Sequence, residues 1–80
     1  DGALKIEDLR DLLELGTLPG EEDHEYQTLA GMLIAVLGRI PRVAETYTFE
    51  DYRFEVVDLD GARIDKVLVQ RAGQPPVELG

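Results

Sequence analysis

TYTFEDYRFEVVDLDGARIDKVLVQR, residues 46–71, decides the fold, because here the apolar residues recur at every second position. The spacing predicts a short strand over 46–49, a turn at Glu50-Asp51, a longer strand over 52–59 and a third strand beyond Asp60-Gly61. An Asp-Gly pair between two such runs is a strong hairpin signal. With residues 60 and 61 as a two-residue loop, Phe54 faces Val67, Tyr52 faces Val69, Glu55 faces Lys66 and Asp58 faces Arg63. Apolar and opposite-charge pairs agree, each contributing ~0.2 to 1 kcal/mol. Tyr52, Phe54, Val56, Val67 and Val69 then share one face. Val57, Ile64 and Leu68 make the other face partly apolar, so the first helix or a partner is expected to cover it.

Upstream the period is helical. Over 6–15, Ile6, Leu9 and Leu13 stand at i, i+3 and i+7, and Leu12 widens the stripe. No good N-cap oxygen precedes this helix. Glu7 and Asp8 complement its dipole, Leu4 is placed to staple against Leu9, and Gly16 with Pro19 ends it. Residues 20–27, GEEDHEYQ, have no apolar period and read as a solvated acidic loop.

A second helix is expected over 28–37, with Leu29, Met32, Leu33, Val36 and Leu37 on one side and Gly38 and Pro41 closing it. Its other side carries Ala30, Gly31, Ile34, Ala35 and Gly38, which points to burial on two sides. Gly31, Ala35 and Gly38 line up so that backbone of the sheet or of a partner can approach closely. The tail 72–80, with Gly73, Pro75 and Pro76, reads as a linker or disordered end. The architecture implied is α+β, two helices on a small, mainly antiparallel sheet.

The 80 residues allow one core. The uncharged stretch 28–38 is well short of the ~20 residues that span a bilayer, so no direct membrane insertion is expected. A net charge of −9, of which −6 falls in residues 1–40, argues against nucleic acid and anionic lipid as partners. The chain has no cysteine and no serine, and His24 is its single histidine. The usual nucleophile-and-base sets cannot be assembled, so the chain is read as no enzyme, with no catalytic residues. No glycine-rich phosphate cradle follows a strand.

Glu21, Glu22, Asp23 and Glu25 beside His24 offer oxygen and imidazole donors, but nothing fixes their geometry and no metal site is assigned. Asp58 and Asp60 before Gly61 mimic part of a calcium loop, and the hairpin accounts for them. Tyr26, Tyr47 and Tyr52 are read as packing residues rather than a stacking platform.

The order of these segments resembles the CorC/HlyC transporter-associated domain over residues 1–71. The resemblance rests on Tyr26, Thr28, Leu29 and Gly31, on Leu37-Gly38-Arg39-Ile40-Pro41, and on Phe54-Glu55-Val56 followed by Asp60-Gly61 and the strand 66–69. Members usually carry Gly where this chain has Ala44, before an acidic residue matched by Glu45. They also begin with a strand upstream of Asp-Gly, which is expected to be missing or truncated here.

The resemblance implies a non-catalytic regulatory domain of a bacterial magnesium/cobalt efflux or hemolysin-like membrane protein, on the cytoplasmic side of the inner membrane. Its expected partners are CBS and transmembrane parts of the same polypeptide, with a homodimer also admitted. The family fold is similar to a subdomain of FAD-binding oxidases (PCMH-like), so the alternative is a small-ligand module binding a flavin such as FAD or an adenine nucleotide. The cofactor-binding residues are unknown, and no catalytic residues come with the family.

Overall fold

The computed structural model describes residues 4–79. Two helices and four strands follow in the order α1 (Ile6–Leu13), α2 (Leu29–Leu37), β1 (Thr46–Phe49), β2 (Tyr52–Asp60), β3 (Arg63–Arg71) and β4 (Val77–Leu79). The strands form one antiparallel meander, β1-β2-β3-β4, and both helices contribute to a single core against one face of it.

α1 ends two residues earlier than its periodicity suggests, because Glu14 turns into the left-handed region at φ 55°. The carbonyl of Leu13 is taken instead by the buried Tyr52 hydroxyl, 2.7 Å away, so a tertiary bond replaces the next helical turn. The helix start lacks a side-chain cap, as expected, and the Ile6 amide donates to the Gln27 carbonyl. Ile6, Leu9 and Leu13 are buried, whereas Leu12 is 58% exposed and adds nothing to the buried stripe. Leu4 packs against the core.

α2 is capped by Thr28, whose hydroxyl accepts from the Gly31 amide, and closed by Gly38 at φ 76°. It buries Leu29, Met32 and Leu33 on one side only. The close backbone approach expected along Gly31, Ala35 and Gly38 is not made by the sheet. A Cβ on Gly31 would meet Thr28 Oγ1 at 3.3 Å and Tyr26 Cβ at 3.4 Å, and one on Gly38 would meet nothing.

β1, the Glu50-Asp51 turn and β2 lie as expected, with Phe49 opposite Tyr52. The β2–β3 register differs. Its loop is Gly61-Ala62, flanked by Asp60 and Arg63, so that Phe54 faces Val69, Tyr52 faces Arg71, Glu55 faces Leu68 and Asp58 faces Lys66. Gly61 has φ 63° and Ala62 is not left-handed, the pattern of a loop with glycine at its first central position. An Asp60–Arg63 ion pair at 3.1 Å spans it.

Two irregularities follow, one between Val56 and Asp58 and one between Asp58 and Leu59. Each shifts the alternation by one residue, so Leu59 and Ile64, which now pair, turn towards the core. Ile64 was expected on the reverse face and is fully buried instead. The reverse face is not covered by α1, whose buried residues join Tyr52, Phe54 and Val56 in the same cluster. Nor is the tail wholly a linker, since Val77, Glu78 and Leu79 pair with Val69, Leu68 and Val67.

Gly61 is open to solvent but conformationally constrained. Gly61→Val is expected to cost about 1–2 kcal/mol through backbone strain alone, read as a lower midpoint in urea denaturation. An unchanged midpoint would contradict this loop geometry.

Candidate functional site

Loops carry what this small scaffold presents to its surroundings, and two of them are built alike. In Leu18-Pro19-Gly20-Glu21, the Glu21 amide donates to the Leu18 carbonyl at 3.2 Å and Gly20 sits at φ 67°. In Arg42-Val43-Ala44-Glu45, the Glu45 amide donates to the Arg42 carbonyl at 3.1 Å and Ala44 sits at φ 73°. Both have the features of a type II turn, with positive φ at the third residue. In each, the glutamate carboxylate folds back on its own turn, accepting from the Leu18 amide at 2.9 Å or the Arg42 amide at 2.9 Å.

Each glutamate is then gripped by an arginine fork. Arg10, on α1, places Nη1 and Nη2 at 3.1 and 2.7 Å from the two Glu21 oxygens, and it also donates to the Gly16 carbonyl. Arg39, just past α2, holds both Glu45 oxygens, with Nη1 at 2.8 Å from Oε1. Such bidentate pairs fix orientation as well as charge. The arginine fork first, and the turn amide second, bring both carboxyls from the ordinary 4.5 down to about 2. Burial raises the Tyr26 phenol, whose hydroxyl donates to the Pro19 carbonyl at 2.6 Å.

The first clamp pins a segment that the sequence presents as solvated. Leu18 and Pro19 are buried beneath it, an anchoring that isolated residues between Gly16 and Gly20 do not advertise. Glu22, Asp23, His24 and Glu25 remain exposed. Among the described residues no group of three or more carboxylate, histidine or cysteine side chains converges as a metal site would require. Asp60 is engaged by Arg63, and Asp58 lies in the β2–β3 ladder. Tyr26 and Tyr52 spend their hydroxyls on main-chain carbonyls, and Tyr47 packs against the core. Packing or main-chain hydrogen bonding accounts for each of the three tyrosines.

The second clamp presents rather than buries. Ile40 and Val43 are 48% and 55% exposed, while Pro41 between them is buried. A shallow apolar groove of about 250 Å³ lies elsewhere, between Leu12 and Leu13 of α1 and Val77 and Leu79 of β4. Both surfaces are largely apolar.

Fold and loops together define a two-helix α+β module whose polar side chains latch its own turns. The chain belongs to the transporter-associated domain family CorC/HlyC, whose model matches residues 1–73. A UPF0053 protein of Synechocystis is 44% identical over 71 residues, covering 89% of the chain and 16% of that protein. The polyamine export protein of Salmonella typhimurium is 37% identical over 71 residues, covering 89% of the chain and 15% of that protein. The chain thus spans about one-sixth of the length of these relatives.

Among solved structures, the transporter-associated domain of a Xylella fastidiosa Temecula1 hemolysin superposes with TM-score 0.74 at 51% identity, covering 89% of this chain and 79% of that one. That hemolysin's domain is also known in complex with Mg++ and Mn++, at 52% identity and TM-score 0.71, covering 89% and 81% of the two chains. The domain from a CBS domain protein of Porphyromonas gingivalis gives 0.67 at 28% identity, covering 84% and 78%.

Two outcomes test the clamps. Ala44 occupies a left-handed position, which glycine adopts without a Cβ penalty, so Ala44→Gly is expected to raise stability by about 1 kcal/mol in denaturant titration. The depressed carboxyl values also set a pH window. A group whose folded pKa lies below its unfolded one contributes fully above the unfolded value and loses that contribution as pH falls through the folded one. For Glu21 and Glu45 the loss runs from about pH 4.5 down to about pH 2. The double variant Glu21→Gln/Glu45→Gln should melt lower at pH 7 and lose less of its melting temperature across that window. Parallel pH profiles for the two proteins would contradict the clamp geometry.

Proposed function

We infer that this chain is a non-catalytic regulatory domain of a longer bacterial membrane transport protein, acting from the cytoplasmic side on a cation pathway it does not line. The observation that carries this reading is the rigid loop 38–45, which is latched to itself and holds two aliphatic side chains out to solvent. Apolar groups held exposed on a fixed frame fit an interaction surface. Family membership supplies the context, and among the described residues no helix is long and apolar enough to cross a membrane.

Permeation requires polar groups placed within a membrane bundle, so such a domain acts through contacts that differ between two states of the transport part. Upstream CBS modules and transmembrane segments of the same polypeptide are its partners in this reading. The coupling would be worth ~1 to 3 kcal/mol, the usual range between linked sites. The cargo is cationic, either magnesium or cobalt, as the resemblance implies, or a polyamine, as in the Salmonella exporter.

The test is transport in proteoliposomes by intact parent protein and by a version lacking this domain, at equal incorporated amounts. Truncation is expected to change the rate of transport or its control and to leave the preference among magnesium, cobalt and polyamine unchanged. Altered selectivity would overturn the reading. Saturable micromolar binding of FAD or ATP to the isolated chain would replace it with the small-ligand alternative.

A further inference from the structure

β1 lies at one margin of the sheet, and only half of its backbone is used. Facing pairs in an antiparallel ladder alternate between those that exchange both hydrogen bonds and those that exchange none. Phe49 and Tyr52 close the two-residue turn and so form an exchanging pair, as do Tyr47 and Phe54. Two residues upstream the same phase holds, with the Val56 amide donating to the Glu45 carbonyl at 3.0 Å. The amides and carbonyls of Thr46 and Thr48 therefore point away from β2, and among the described residues nothing takes them up.

The side chains on the two sides of this edge differ. Tyr47 and Phe49 are half-buried on the face that holds the core, whereas Thr46 and Thr48 are exposed on the reverse. Beside Phe49 the loop 17–23 leaves a hollow of about 260 Å³ whose wall includes Glu22 and Asp23. Both are exposed, and neither they nor Glu50 in the turn is in an ion pair with another described residue. Glu21, Glu45 and Asp51, by contrast, are held by Arg10, Arg39 and Arg71. On the reverse face Arg53, opposite Thr48, is engaged by Glu55 at 3.6 Å. The charge left unanswered beside this hollow is negative.

We propose that the β1 edge is a docking site for an extended basic segment of another polypeptide, which joins the sheet as a further strand. Strand addition draws affinity from main-chain hydrogen bonds and selectivity from the pockets that receive alternate side chains. Thr46 and Thr48 supply the main-chain partners. Core-side residues of the added strand lie next to Tyr47 and Phe49, where a lysine or arginine packs its aliphatic stem on the rings and brings its charge to Glu22 and Asp23. Reverse-side residues stand beside Thr46 and Thr48, a setting for β-branched side chains. The partner is thus basic at every second position. A second copy of this chain does not match, because TYTF has no cation and two net charges of −9 would meet. The site is independent of the transport reading, since it asks only for a partner with this pattern.

The probe is a capped synthetic peptide of alternating lysine and valine, titrated into the isotope-labelled chain. Saturable shifts of amide resonances are expected over 46–49 and at Glu22 and Asp23, with a Kd that rises on adding salt. The Thr46 and Thr48 amides should gain protection from hydrogen exchange, and those of Tyr47 and Phe49, already in the ladder, should gain little. Asp23→Lys should raise Kd about three- to fivefold. Glu78→Lys, the same change of charge on β4 at the far margin, should leave it unchanged. Thr48→Pro removes an outward amide that the ladder does not use, so the chain should fold and lose the peptide.

Circular dichroism of each variant checks that it is folded. No saturable binding up to millimolar peptide, protection along β4 instead of at Thr46 and Thr48, undiminished affinity in a folded Thr48→Pro chain, or equal losses from Asp23→Lys and Glu78→Lys would each overturn the proposal.

Discussion

The hydroxyl of Tyr52 donates to the carbonyl of Leu13, across 39 residues of chain, and the two layers of the domain are joined at that point. Helices of eight and nine residues do not persist in water on their own, so each must be held from outside. α1 has no side-chain cap at its start and ends on a non-glycine residue in the left-handed region. Its first amide is taken by Gln27 and its last carbonyl by Tyr52. Tyr52 is itself buried against the core, with the Arg71 guanidinium 5.7 Å from its ring centre. Without this bond, Ile6, Leu9 and Leu13 would cover the sheet from a helix with no reason to stop where it does.

The same economy governs the loops. Glu21 and Glu45 each gather an arginine fork and one amide of their own turn, so a single carboxylate satisfies three donors and locks a four-residue bend. The clamp near α1 draws Leu18 and Pro19 into the interior, and the one beyond α2 leaves its aliphatic side chains outside. One local design therefore yields a structural anchor ahead of α2 in the chain and a presenting loop after it. These two carboxylates thus shape the loops of a domain whose family is named for its association with transporters.

Much of this was legible in the sequence. The helical stripes, the Thr28 start, the Glu50-Asp51 turn and the core set from Tyr52 to Val69 all follow from period and turn residues. The hairpin register does not, because Asp60-Gly61 and Gly61-Ala62 are equally good two-residue loops on paper. What separates them is the pair of irregularities that brings Leu59 and Ile64 inward, a gain visible only in three dimensions. The tail hid its strand behind Gly73, Pro75 and Pro76, since pairing with β3 rather than local propensity orders Val77–Leu79. Of the clamps, Pro19-Gly20 announces a turn, whereas Ala44 disguises its counterpart. The arginines stand 11 and 6 residues from their glutamates, so no common motif links them.

β1 adds a consequence for the domain's behaviour in crowded solution. It is an edge strand of four uncharged residues, Thr-Tyr-Thr-Phe, with no further strand beside it among the described residues. Such an edge is a template for recruiting another chain unless charge guards it. Glu45 stands at one end and Glu50 and Asp51 at the other, in the role of gatekeepers. Arg39 and the Arg42 amide bring the Glu45 carboxyl down to about 2, so the latch that shapes the loop beside this edge also persists in mild acid. Loss of that one ion pair would then cost solubility as well as stability.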